Sequence, residues 1–234
     1  MIEFKKEKRF INILKGFGVI FLYFFVSLFE TLPLELLGIN YDSLNIISKE
    51  FYNIGMEIIL IFFIFLILKD EILMAVNDIK KNHFKYFSQN FKYYLLGVGA
   101  MMAANYLIMI LGGDISENES TIRNQFATNP VYTYISAVFL APVLEECVFR
   151  LGFRNIFKNK LLFILVSGLV FGGLHLIGNF DNPLIFLHLI AYSGCGVAFA
   201  YILTRTNNIL VSMGFHFMHN GILMSIQLIA LLFS

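Results

Sequence analysis

Residues 131–151 read VYTYISAVFLAPVLEECVFRL. The run is almost wholly apolar until Glu145, Glu146 and Arg150 appear near its end. About 20 apolar residues suffice for a helix to cross a bilayer. A charge at the middle of such a helix costs about 2.5–3.5 kcal/mol on insertion scales. Ionisable groups kept inside an apolar run therefore point to chemistry rather than packing. His175, His216 and Asn220 sit in two further apolar runs in the same way.

The rest of the chain agrees with a membrane reading. Its 234 residues are 58% hydrophobic and 14% charged, with a mean hydropathy of +0.75. Soluble domains are about 45–50% apolar and about 25% charged. Seven segments are apolar enough to span, near 10–28, 51–68, 93–112, 131–151, 161–179, 184–204 and 208–232. The expected fold is an all-α, polytopic transmembrane bundle forming one integral domain over 1–234, with a catalytic core at 141–221. No small-residue cleavage site follows the basic start Lys5, Lys6, Lys8, Arg9, so the first segment reads as a retained helix. The polar stretches 40–50, 80–92 and 114–129 read as breaks. Asp114, Glu117 and Glu119 read as solvated loop residues, and Glu57 as an acid snorkelling near the outer end of its span.

Lys and Arg in short loops set orientation. With the N-terminus in the cytoplasm, all of the 17 Lys and Arg residues fall inside except Lys49 and Arg123. This predicts N-in, C-out. Residues 70–92 carry apolar side chains at helical spacing among lysines. They read either as a helix on the membrane surface or as an extension of the second span. Small residues recur at Gly97, Gly99, Ala100, Ala103 and Ala104, and at Ser193, Gly194, Gly196, Ala198 and Ala200, as in closely packed membrane helices. Asn105 reads as an interhelical hydrogen-bonder. Cys147 and Cys195 read as small buried hydrophobes, without a disulfide or thiolate metal site. A net charge of +1 gives no basic patch for nucleic acid.

Adjacent carboxylates point about 100° apart on a helix, so Glu145 and Glu146 cannot share one role. Glu146 and Arg150 are spaced i,i+4, in the favourable order. Glu146 is then the structural acid and Glu145 the one free to face the bundle. Phe171 and His175 lie one turn apart, as do His216 and Asn220. His219 lies near enough to His216 to compete with it, whereas His188 fits no pattern. A carboxylate, two imidazoles and a carboxamide suit hydrolysis. Glu145 takes a proton from water, His175 helps to position it, and His216 and Asn220 donate to an oxyanion. Glu145, His175 and His216 can equally be read as ligands of zinc with an open water position. The motif of the soluble zinc proteases, HExxH, is absent.

Three motifs stand in order on three apolar segments: Glu145-Glu146-x-x-x-Arg150, Phe171-x-x-x-His175 and His216-x-x-x-Asn220. Together they resemble those of the CPBP (CAAX protease and bacteriocin-processing) intramembrane proteases, also called the Abi or type II CAAX prenyl endopeptidase family. The resemblance covers about 141–221. It implies a helical bundle in the cell membrane, a buried site open toward the cytoplasm, and cleavage of a peptide bond in a membrane-associated peptide or protein. Members are labelled metalloproteases, and a metal-free glutamate mechanism is also proposed for them. Some bacterial relatives serve in bacteriocin maturation or immunity, so a non-catalytic immunity or scaffold protein of the same fold is the alternative. A small transporter is less favoured, because no repeated halves are evident.

Overall fold

The structure is a computed structural model that describes residues 2–178 and 182–233, with side chains from Glu7 onward. The side chains of Lys5 and Lys6, and residue 179 at the end of the expected fifth segment, lie outside the described residues. The described chain is helical apart from its connections. Helix α1 spans Ile2–Leu28 and the short α2 spans Leu32–Leu36. Helix α3 spans Ile46–Ile110 and α4 spans Glu117–Thr128. A composite rod follows: α5 (Pro130–Ile135), a π-helical stretch at Ser136–Leu140, α6 (Ala141–Glu145), a second π stretch at Glu146–Gly152, and α7 (Phe153–Ile156). Then come α8 (Lys160–Leu174), α9 (Ile185–Thr206) and α10 (Ile209–Leu232).

Among the described residues, three helices are long and apolar enough to cross a membrane: Glu7–Leu28, Ile185–Thr206 and Ile209–Leu232. They match three of the expected segments closely. Helix α8 is a shorter apolar helix. Its 15 residues cover about 22 Å, less than the hydrocarbon thickness of about 30 Å, because the chain leaves the helix at His175. Phe21, Phe62, Leu96 and Ile190 stand on the outside of the bundle, as lipid-facing side chains do.

Residues 46–110 differ most from expectation. The expected break at 80–92 is absent; the interruption lies at Leu68, where non-helical dihedrals (φ −102°, ψ 15°) kink the chain, and helix continues beyond it to Ile110. Polar residues do not end a helix, and 69–96 contains neither Pro nor Gly to do so. The 70–92 stretch thus runs on into the apolar segment that follows it, and the Leu68 kink parts it from the one before. The first stop signal is Gly112 at φ 72°, where Gly113 N–H reaches back to Ile108 O and Gly112 N–H to Met109 O, a glycine C-terminal cap. At 114–129 Asp114 lies in an exposed loop as expected, but Glu117 and Glu119 do not. Ser116 accepts a hydrogen bond from Glu119 N–H and starts α4, and Glu119 pairs with Arg123 at 2.7 Å. Asn105 is exposed rather than turned toward a neighbouring helix.

Helix α9 is the centre of the bundle, packed between α3 and α8. Small residues allow the close approach. A Cβ on Gly97 would sit 2.9 Å from Gly194 O, and one on Gly168 2.8 Å from Val197 N. One apolar cluster gathers Val19, Ile64, Leu68, Val148, Phe149 and Leu203, and a second gathers Tyr94, Phe199, Val211 and Phe215. Both cysteines are free and buried.

Candidate active site

Glu146 opens the second π stretch, and neither it nor Arg150 is solvent-accessible. The expected i,i+4 pair forms: Arg150 Nη2 lies 3.3 Å from Glu146 Oε1. The guanidinium also donates to Ser167 Oγ at 3.2 Å and lies over the Phe171 ring at 4.7 Å. Phe171 thus supports the site through a cation–π contact. The other carboxylate oxygen of Glu146 accepts from Ser212 Oγ–H. Ser212 is one turn before His216, so α10 sets Ser212, His216 and Asn220 along one ridge. The sequence reading missed Ser212, although its i−4 spacing from His216 was the signal.

His216 joins the two acids. Its Nδ1 lies 3.0 Å from Glu146 Oε1 and its Nε2 3.5 Å from Glu145 Oε2. The ring stacks on Phe199 at 4.8 Å. Because a carboxylate accepts, Nδ1 carries a proton, and Nε2 is the nitrogen turned to Glu145. Glu145 keeps 18% of its side-chain surface exposed and lines a cavity of about 220 Å³ with Tyr23, Leu60, Leu144 and Glu57. Glu57 faces this cavity and accepts a hydrogen bond from Ser136 at 2.8 Å, so it does not snorkel as expected. Tyr23 and Glu57 had no legible link to the motifs, since both sit on other helices.

His175 caps α8. Its Nδ1 lies 2.8 Å from Phe171 O, and its ring stacks on Tyr192 at 4.7 Å. A carbonyl only accepts, so this bond fixes the proton on Nδ1 and leaves Nε2 as an acceptor. His175 reaches the pair through the Phe171 ring, 4.7 Å from His175 and 5.9 Å from His216. Tyr192 is held in turn by Ser116, a contact without a sequence signature.

Asn220 donates through Nδ2 to Ala137 O at 2.8 Å. That carbonyl needs a partner. In the first π stretch Ala141 N–H bonds to Ser136 O, and the following residue, Pro142, has no N–H to give. Asn220 fills the vacancy and ties α10 to the rod that carries Glu145. His219 turns elsewhere, toward Tyr94 Oη at 3.3 Å and Cys195 Sγ at 3.9 Å, and does not compete with His216. His188 faces Asn182 at 3.5 Å. Among the described residues, no group of three or more His, Cys, Asp and Glu side chains is arranged to hold a metal ion. Glu145, His175 and His216 are therefore not gathered as a zinc ligand set.

The arrangement provides one acid at a cavity wall, an imidazole between two carboxylates and a second imidazole with a fixed tautomer. Residues 127–222 match the family described as "Type II CAAX prenyl endopeptidase Rce1-like". The matched family is the one that the three motifs resemble. Over 137 residues, 57% of the chain, it is 28% identical to a Bacillus subtilis (strain 168) protein named "Putative membrane peptidase YdiL". Over 216 residues, 83% of the chain, it is 28% identical to an uncharacterized protein of Mycoplasma capricolum subsp. capricolum. The aligned parts cover 52% and 61% of these two relatives, so the chain spans little more than half their length. No solved structure matches the chain.

Proposed function

We propose that the protein is an intramembrane endopeptidase that hydrolyses a peptide bond of a membrane-associated peptide or protein. The observation that supports this best is the contrast between the two adjacent glutamates. Glu146 is enclosed with Arg150, while Glu145 stands at a cavity wall with His216 Nε2 3.5 Å away. In this reading Glu145 takes a proton from the attacking water and passes it to the amine that leaves as the peptide C–N bond breaks. His175 offers its Nε2 lone pair to orient that water. His216 donates its Nδ1–H to Glu146 and, in its doubly protonated form, directs its Nε2–H to the developing oxyanion. The second N–H of the Asn220 amide serves the same oxyanion. Glu146, Arg150, Phe171 and Ser212 hold His216 in place.

The orientation we infer is N-in. Arg9 bonds to the carbonyls of Asn155 and Ile156, Lys15 meets Glu71, and Arg154 meets Asn207. These cations gather at one end of the bundle, as cytoplasmic loops require. The seven-crossing count takes α3 twice, once on each side of its polar middle.

The test is co-expression with a membrane peptide that the wild-type protein cleaves. Glu145→Gln and His175→Ala are each expected to abolish cleavage while protein levels hold. Cleavage retained in both would leave the immunity or scaffold reading in its place.

A further inference from the structure

The cavity at Glu145 has a direction. Its inner wall is Leu60, Leu144 and Glu145, and its rim carries Ser27 and Glu30 beside Asn53 and Tyr132. Ser27 and Glu30 are exposed, whereas Leu60 and Leu144 are buried. The cavity therefore runs from the glutamate toward the end of the bundle where α1 finishes and where α5 begins. Along helix axes the run is about 10 Å from Glu30 to Tyr23 and about 20 Å from Tyr132 to Glu145.

That end lies away from the cations. Arg9, on the first part of α1, is bound to the carbonyls of Asn155 and Ile156. From Arg9 to Leu28, α1 rises about 28 Å, close to the hydrocarbon thickness of about 30 Å. Arg154 and Lys15 stand with Arg9. No Lys or Arg lines the cavity.

We propose that the cavity admits water and substrate to Glu145 from the extracytoplasmic side of the membrane. The substrate class is then a membrane-anchored peptide whose cleaved segment enters from the outer leaflet. This is the reverse of the cytoplasmic opening that the family resemblance implies. The substrate assignment rests on Glu145 being the reactive group, and the direction of the opening on the N-in orientation alone.

Single cysteines at Ser27, Met56 and Lys158 test the direction with a membrane-impermeant maleimide. Met56 lines the cavity, and Lys158 is exposed at the opposite end. Cys147 and Cys195 are buried, which keeps the background low. In intact cells Ser27→Cys and Met56→Cys are expected to label, and Lys158→Cys only after permeabilisation. Labelling of Lys158→Cys in intact cells, with protection of Ser27→Cys, would overturn the proposal. So would an unlabelled Met56→Cys beside a labelled Ser27→Cys. Labelling requires no activity. An inactive wild type with the expected labelling pattern would therefore sink the protease reading alone, and an active one with the reversed pattern the direction alone.

Discussion

His216 Nε2 lies 3.5 Å from Glu145 Oε2, and Glu145 itself lines a cavity. The separation is longer than a good hydrogen bond and suits a contact that tightens when water or substrate arrives. Glu145→Gln keeps the shape and removes the base. We expect cleavage to fall by at least about 10²-fold, the low end for a positioned acid–base group. Thermal unfolding in detergent should barely change, because Glu145 is partly exposed and holds no short ion pair. A large drop in melting temperature would mark Glu145 as a structural residue instead.

Glu146 and Arg150 call for the opposite result. Both are fully buried and lie 3.3 Å apart. Removing one leaves the other charged and unpaired, at a cost of about 3–5 kcal/mol. Glu146→Leu and Arg150→Met should each destabilise the protein by about that much. The double variant should lose clearly less than the sum, since the guanidinium and the carboxylate then leave together. Denaturant titration in detergent measures all three, and additive losses would mean that the two groups are not energetically coupled.

Asn220 separates scaffold from chemistry. Its amide supplies the hydrogen bond to Ala137 O that Pro142 cannot give. Asn220→Leu leaves a carbonyl unpaired and should cost about 1–3 kcal/mol. Pro142→Ala restores a backbone N–H to the rod. If the loss is purely structural, the double variant Pro142→Ala/Asn220→Leu should regain stability and cleavage together. We expect it to regain stability and remain slow in cleavage, the signature of a lost oxyanion donor.

The site was more legible than the scaffold around it. The pairing of Glu146 with Arg150 follows from i,i+4 spacing, and the contact of Phe171 with His175 from the same rule; both are local properties of one helix. The meeting of His216 with Glu145 needed only two apolar rods carrying polar groups on facing sides, whereas its bond to Glu146 was not foreseen. The continuity of α3 was not legible from polarity, because lysines at 80–92 fit a helix as well as a loop. The anchoring of Asn220 on Ala137 depends on a π-helical register that no side-chain pattern announces. Tyr192 behind His175 and Glu57 beside Glu145 come from other helices, where spacing along the chain carries no information.

Gly172 lies in α8, against α9. A Cβ there would sit 2.2 Å from Ser193 Oγ and 2.8 Å from Ser193 N. The hydroxyl can move, but the backbone nitrogen cannot without separating the helices. Gly172→Ala should therefore cost about 1–3 kcal/mol, as overpacking does, and Ser193→Gly added to it should recover only part. Gly173 has nothing within 4 Å of its Cβ position, so Gly173→Ala should be tolerated. Equal melting temperatures for the two single variants would show that α8 does not depend on this contact.

Asp78, in the polar middle of α3, gives a pH dependence with a definite sign. Asn208 donates to one carboxylate oxygen at 2.9 Å and Asn82 to the other at 2.8 Å. The hydrogen bonds from Asn208 and Tyr86 hold the carboxyl below its ordinary value, which is about 3.9 for aspartate. A group whose folded value is depressed binds fewer protons in the folded state than in the unfolded one. Its contribution is present above the unfolded value and is lost as pH falls through the folded one. Asp78→Asn should accordingly melt lower than wild type at pH 7 and approach it as the pH drops below about 4. A gap between the two that stays constant with pH would show that Asp78 holds the start of α10 by shape rather than by charge.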